Sequence, residues 1–253
     1  MEISGKKAIV IGGASGMGLA TADILIKNGA SVAMLDLGSS NGAELAKERG
    51  AIFRECNILD FEQTEACLRE AAQALGGLNI VVTTAGGGIA QRTLSKKGPH
   101  PMDSFMHVVN LNLNATFNIC RIAADIIKDE TPNEDGERGV LVNTASIAAF
   151  EGQIGQIAYS ASKAGIAGMM LTMARDLGSF GIRVMAIAPS LFSTGITAGM
   201  PEEMSLELTK DAAFPKRMGR PHEYALAARS IIENPMLNGN TLRLDGGIRF
   251  APR

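Results

Sequence analysis

The chain has 253 residues, of which 46% are hydrophobic and 20% charged, and its formal net charge is −2. That balance fits a globular protein able to bury a large core, and it excludes a disordered or collagen-like chain. No cluster of Lys and Arg makes a nucleic-acid footprint, and no apolar run is long enough for a membrane span. The opening MEISGKKAIVIGG enters a strand almost at once, so no signal or transit peptide is expected and the expected location is cytoplasmic. Cys56, Cys67 and Cys120 lack CxxC or mixed Cys/His spacing and read as reduced, mostly buried residues. His100, His107 and His222 are scattered, so no metal site is expected.

In chain order, short β-branched runs alternate with longer helical patterns. Strands are predicted at 7–11, 31–36, 51–56, 78–83, 139–144, 182–188 and 241–244. Helices are predicted at 17–28, 42–49, 61–75, 102–128, 159–180 and 222–233. Several strands are apolar on consecutive residues, which suits a parallel sheet covered on both faces. The alternation predicts right-handed crossovers and an α/β fold, a doubly wound parallel sheet of about seven strands. No linker, repeat or composition break divides residues 1–253, so one domain is expected. The connections 86–101 and 190–214 are long for such a domain. Both follow the C-terminal ends of predicted strands, where open α/β sheets bind ligands, and both are expected to wall a substrate site.

After the first strand, Gly12-Gly13-Ala14-Ser15-Gly16-Met17-Gly18 opens a helix. Glycines in that position allow a tight turn and bring backbone N–H groups to a pyrophosphate at a helix N-terminus. Asp36 ends the second strand, where a carboxylate can accept hydrogen bonds from an adenosine ribose. It would also repel a 2′-phosphate, and neither Ala14 nor Leu37 offers a cation, so NAD is favoured over NADP. A capping or turn aspartate is the other reading. Asn57, past the third strand, could meet the adenine edge or serve a simple turn.

Ser146 follows the fifth strand, and Tyr159-Ser160-Ala161-Ser162-Lys163 opens the next long helix. Residues four apart share a helical face, so Lys163 can approach the Tyr159 phenol. An unperturbed tyrosine is a poor base at neutral pH, and a nearby cation would favour its phenolate. Tyr224, with Ala228 four residues on, lacks such a partner.

GGASGMG, the Thr-Ala-Gly after strand four, Asn112, Ser146, YSASK and LRLDGG together resemble the short-chain dehydrogenase/reductase family, from the first strand to the last. The resemblance implies a Rossmann-like fold in which Tyr159 exchanges the proton of the substrate oxygen and Ser146 hydrogen-bonds that oxygen. It implies that Lys163 holds the nicotinamide ribose and that Asn112, rather than Asn110 or Asn114, anchors a water in a proton relay. Its cofactor positions fall on Gly12, Ser15, Gly16, Met17, Gly18, Asp36, Asn57, Ile58, Ala85, Gly86, Tyr159, Lys163, Phe192 and Thr194. Ile11 stands for the usual Thr, Thr84-Ala85-Gly86 for Asn-Ala-Gly, and Pro189-Ser190 for Pro-Gly; the first two are expected to weaken side-chain bonds bracing the turn.

NTASIAAFEGQIGQIAYSASKAGIAG, MARDLGSFGIRVMAIAPSLF, IIENPMLNG and LRLDGGIR are similar to the branch of that family oxidising 3-hydroxyacyl-CoA to 3-oxoacyl-CoA with NAD. That likeness implies a homotetramer and leaves room for steroid or short branched acyl substrates. Arg92, Lys96 and Lys97 could attract coenzyme A phosphates or be an ordinary solvated basic loop. Leu191, Phe192, Met200, Met204, Leu206, Leu208 and Phe214 suit an adaptable lid, or equally a packed stripe. Gln153 and Gln156 could line the polar rim beside Ser146 and Tyr159, or brace their loop. The other readings are a 3-oxoacyl-carrier-protein reductase, a steroid or polyol dehydrogenase, and a non-catalytic NAD-binding scaffold.

Overall fold

Strands that are apolar on both faces need cover from two sides, and parallel pairing with helical crossovers supplies it. The computed structural model of the protein describes residues 1–197 and 199–252. Ala198, inside the 190–214 connection, and Arg253 lie outside the described residues. The strands are β1 (Lys7–Ile11), β2 (Ser31–Asp36), β3 (Ile52–Glu55) and β4 (Ile80–Thr83). A small antiparallel hairpin, β5 (Leu94–Ser95) and β6 (Gly98–Pro99), precedes β7 (Gly139–Thr144), β8 (Ile182–Pro189) and β9 (Thr241–Leu244). Apart from that hairpin, all strands join one seven-stranded parallel sheet in the order β3-β2-β1-β4-β7-β8-β9.

The helices are α1 (Gly16–Lys27), α2 (Gly42–Glu48), α3 (Phe61–Leu75), α4 (Met102–Val109), α5 (Ala115–Ile127), α6 (Ile157–Leu177), α7 (Glu202–Thr209) and α8 (Pro221–Glu233). Alternate strand residues divide the core. Ile9, Ile11, Val81, Leu141 and Val184 pack toward α3, α5 and α6. Val10, Met34, Val82, Val142 and Ile187 pack toward α1 and α8. The strand order reverses between β1 and β4, so their C-terminal ends open a crevice. Among the described residues no helix is long and apolar enough to cross a membrane.

The α/β expectation holds, and the helix predicted at 61–75 has the bounds observed. Asp60 caps it by accepting from the Gln63 N–H, and Gly76, at φ +72°, ends it. The helix predicted at 102–128 is interrupted by a π turn, Asn110–Asn114, where Asn112 Nδ2 donates to the Val108 carbonyl at 2.8 Å. The helix predicted at 159–180 begins at Ile157, and its last turn, Gly178–Phe180, is 3₁₀. The two long connections are also partly regular. One carries the β5–β6 hairpin, the other α7.

Candidate active site

β1 ends at Ile11, and the chain turns through Gly12 at φ +77°, a left-handed conformation that favours glycine. A Cβ on Gly12 would lie 2.7 Å from the Ala85 nitrogen, and one on Gly18 would collide with the Gly12 carbonyl oxygen. Turn, α1 and the end of β4 can approach this closely only without side chains at these positions. Thr84 Oγ1 lies within donor distance of the Ile11 carbonyl at 2.9 Å and the Gly12 carbonyl at 3.2 Å. The threonine therefore supplies a brace for the turn, where weakening was expected.

Asp36 is held at the end of β2. Its Oδ2 accepts from the Ala14 N–H at 2.9 Å and its Oδ1 from the Leu37 N–H at 2.8 Å. A groove of about 470 Å³ runs from this carboxylate past the glycine turn. Of the sequence-predicted cofactor positions, Gly12, Ser15, Gly16, Met17, Gly18, Asp36, Asn57, Ile58, Ala85, Gly86 and Thr194 line it. Asn57 also caps its own turn, its Oδ1 accepting from the Leu59 N–H at 3.1 Å. Cys56, Thr84 and Leu111 line the groove as well, and the sequence reading did not single them out for it. Tyr159, Lys163 and Phe192 are not part of this lining. The Phe192 ring is buried against Gly219, which carries no Cβ to displace it.

The reactive side chains gather where β7 ends. Ser146 caps the short 3₁₀ turn Ile147–Ala149, its Oγ accepting from the Ala148 N–H at 3.1 Å. Tyr159 lies in the first turn of α6, and Lys163 follows one turn later with Nζ 5.6 Å from the Tyr159 ring centroid. Nζ donates to the Thr144 carbonyl at 2.8 Å. This lysine is only 3% exposed, and burial pushes its pKa down to about 8. Burial also pushes the Tyr159 phenol above its ordinary value, and a hydrogen bond with Ser146 offsets only part of that. The expected lowering of the phenol by a neighbouring cation is thus not what this structure shows, because desolvation dominates both groups.

Asn112 is fully buried in the π turn. Its Nδ2 donates to the carbonyls of Gly87 (2.7 Å) and Val108 (2.8 Å), and its Oδ1 accepts from the Gly87 N–H at 3.2 Å. The side chain therefore holds the start of the 86–101 connection beside Lys163. Asn110 and Asn114 bond to each other at 2.7 Å, as surface amides would.

Gln153 and Gln156 brace their loop. Gln156 Oε1 accepts from the Gln153 N–H at 3.0 Å, and Gln153 Nε2 donates to the Ala251 carbonyl at 3.2 Å. Each amide thus braces the loop before Tyr159 through one of its two polar groups, the bracing alternative of the two readings. Arg92, Lys96 and Lys97 are exposed on and around the hairpin, and no ion pair involves them among the described residues. In α7, Met204, Leu206 and Leu208 are exposed rather than packed, as is Phe214 beyond it.

A glycine cradle at a sheet reversal, with a serine, tyrosine and lysine at the rim of the adjoining strand, defines a dinucleotide-dependent alcohol or ketone oxidoreductase. The sequence pattern of the family described as short chain dehydrogenase matches residues 6–205, and the chain belongs to that family. It is 46% identical over 254 residues to the 3-hydroxyacyl-CoA dehydrogenase type-2 of Drosophila melanogaster, across 99% of this chain and 100% of that protein. The crystal structure of 3-hydroxyacyl-CoA dehydrogenase type-2 from Mycobacterium avium superposes with a TM-score of 0.94 at 43% identity, covering 100% of both chains. A 7α-hydroxysteroid dehydrogenase complexed with NADH and 7-oxo glycochenodeoxycholic acid superposes with a TM-score of 0.88 at 26% identity, covering 100% of this chain and 97% of that one.

Proposed function

We propose that the chain interconverts a secondary alcohol and a ketone with NAD(H), and that its substrate is 3-hydroxyacyl-CoA, oxidised to 3-oxoacyl-CoA. The observation that carries the reaction class is the gathering of Ser146, Tyr159 and Lys163 past the end of β7, next to the Gly86 wall of the groove. A Cβ on Gly86, which lines that groove, would lie 3.4 Å from Lys163 Nζ, so cofactor cleft and reactive side chains share one wall. The turn residues fit a dinucleotide: Gly12, Gly16 and Gly18 line the groove at the N-terminus of α1, where backbone N–H groups suit a pyrophosphate. Asp36, with no cation on Ala14 or Leu37, fits a ribose with free hydroxyls, hence NAD rather than NADP.

Bound NAD supplies the hydride acceptor. Tyr159 Oη exchanges a proton with the substrate oxygen, and Ser146 Oγ hydrogen-bonds that same oxygen. Lys163, anchored on the Thr144 carbonyl, is the cation beside Tyr159 and would hold the nicotinamide ribose. Because burial favours the protonated phenol, Tyr159 is set to donate in ketone reduction. Alcohol oxidation needs the phenolate and is expected to quicken as pH rises.

The acyl-CoA assignment rests on the type-2 relatives and on unpaired cations: Arg92, Lys96 and Lys97 offer charge for coenzyme A phosphates. The exposed apolar side chains of α7 and Phe214 suit a lid over an acyl chain. A steroid alcohol is the second substrate reading, favoured by the 7α-hydroxysteroid dehydrogenase likeness. The homotetramer reading rests on the family resemblance alone. Three free, buried cysteines suit the reducing cytoplasm. The test is a panel of 3-hydroxybutyryl-CoA, a branched 3-hydroxyacyl-CoA, a steroid alcohol and a free hydroxy acid, each with NAD and NADP. Turnover of CoA esters with NAD is expected; turnover of the steroid or free acid alone would overturn the substrate assignment.

A further inference from the structure

Tyr224 sits on α8, across the sheet from α6, and is 0% exposed. A buried phenol needs an acceptor for its proton. Its oxygen lies 2.6 Å from Thr144 Oγ1, and Thr144 Oγ1 lies 2.6 Å from the Thr83 carbonyl. A hydroxyl has one proton to give. The Thr83 carbonyl can only accept, so the Thr144 proton goes to it and Tyr224 donates to Thr144. The reverse assignment would leave the Tyr224 proton buried with no acceptor. The chain Tyr224–Thr144–Thr83 thus fixes the Thr144 side chain from the α1/α8 face. On the opposite face, the carbonyl of this same Thr144 is the hydrogen-bond acceptor of Lys163 Nζ among the described residues.

We infer that Tyr224 is a positioning residue for the reaction: from the far face of the sheet it locks Thr144, whose carbonyl holds the Lys163 ammonium beside Tyr159. The inference rests on the dehydrogenase reading for the importance of Lys163, although the contact network stands without it. It differs from a packing role in what it predicts. A buried ring that only fills space would affect stability, whereas loss of the hydroxyl alone would reach Lys163. Around Nζ lie the Tyr159 ring on its own helix, the Gly86 backbone after β4 and the Thr144 carbonyl after β7. No carboxylate pairs with it among the described residues, and the Thr144 carbonyl is the hydrogen-bond acceptor that meets its ammonium there.

Tyr224→Phe keeps the ring and removes the hydroxyl. In protein labelled with ¹⁵N-lysine, the Lys163 signal is assigned by its loss in Lys163→Met, and its titration is followed with and without substitution. We expect Tyr224→Phe to move the midpoint downward by ~0.5 pH unit or more, since a less well-held ammonium is less favoured. Oxidation should lose about 3- to 10-fold in kcat with little change in the acyl-CoA KM. Thr144→Val should move the titration the same way, while Thr144→Ser, which keeps the oxygen, should not. An unchanged Lys163 midpoint in both Tyr224→Phe and Thr144→Val, with only a lower Tm, would overturn the inference. The titration needs no turnover, so a chain inactive on every alcohol would sink the dehydrogenase reading while leaving this one decided separately.

Discussion

The cofactor cleft and the substrate side of this molecule are built from different materials. The cleft is made largely of backbone: a glycine turn, strand ends, and a carboxylate held by two N–H groups. The proposed substrate side is made of exposed side chains on connections, with cations on a two-stranded hairpin and apolar residues on a short helix. The first positions a common cofactor through geometry that almost no side chain could share. The second carries identity in side chains that can change without disturbing the fold. Substitutions in the cleft should therefore cost the reaction itself, and substitutions outside it should cost the choice of substrate.

Breaking the reacting end gives the largest expected effect. Tyr159→Phe should lower kcat by about 10³-fold, within the range for a positioned acid/base, while NADH binding by fluorescence titration stays intact. If turnover survived, the phenol would not be the proton carrier. Next comes the cradle. Gly18→Ala places a methyl group against the Gly12 carbonyl and should cost about 1–3 kcal/mol of stability together with cofactor affinity. An unaltered NADH affinity would show that the turn does not bind the pyrophosphate.

A smaller effect sharpens cofactor choice. Asp36→Ala removes an acceptor that charge-assisted hydrogen bonding would make worth about 10- to 100-fold, so the preference for NAD over NADP in kcat/KM should narrow by that factor. The smallest effect belongs to the hairpin. Lys96→Gln with Lys97→Gln should lower kcat/KM for acetoacetyl-CoA by roughly 2- to 5-fold at low salt, as expected for exposed charges. Its truncated pantetheine thioester should be unaffected. Equal effects on both would remove coenzyme A from the hairpin's role.

Lys163 also links the site to stability. Its pKa falls from 10.5 in a free side chain to about 8 here, so between those values the unfolded chain binds more protons. The contribution of this group to stability should then rise with pH across that window. Measured as Tm of wild type against Lys163→Met, the difference should shift in favour of wild type from pH ~8 upward. A difference independent of pH would mean the lysine is not desolvated.

The same contrast explains what was legible in the sequence. The glycine turn, Asp36 and the Tyr159–Lys163 spacing are local patterns whose combination narrowed their reading, and the turn and Asp36 fall where the crevice opens. α3 was readable to its ends because Asp60 and Gly76 punctuate it. The π turn was not, since it depends on Asn112 capturing the Val108 carbonyl, a choice settled by tertiary contacts with Gly87. α7 hid because Met204, Leu206 and Leu208 recur every second residue and all stay exposed, so no helical stripe marks it. Gln153 and Gln156 read equally well as rim or brace, and only the fold reveals the partners that make the bracing bonds. The pKa direction of Tyr159 was missed for a related reason: spacing reveals the neighbouring cation but not the burial that outweighs it.

The central claim is direct transfer of hydrogen from the alcohol carbon to NAD in this cleft. It is tested by turnover of 3-hydroxybutyryl-CoA deuterated at C3, with the isotope located afterwards by mass spectrometry. The account predicts one deuterium on the reduced nicotinamide for each 3-oxoacyl-CoA formed. Deuterium released to water, or a substrate left unoxidised by wild type in the presence of NAD, would contradict it.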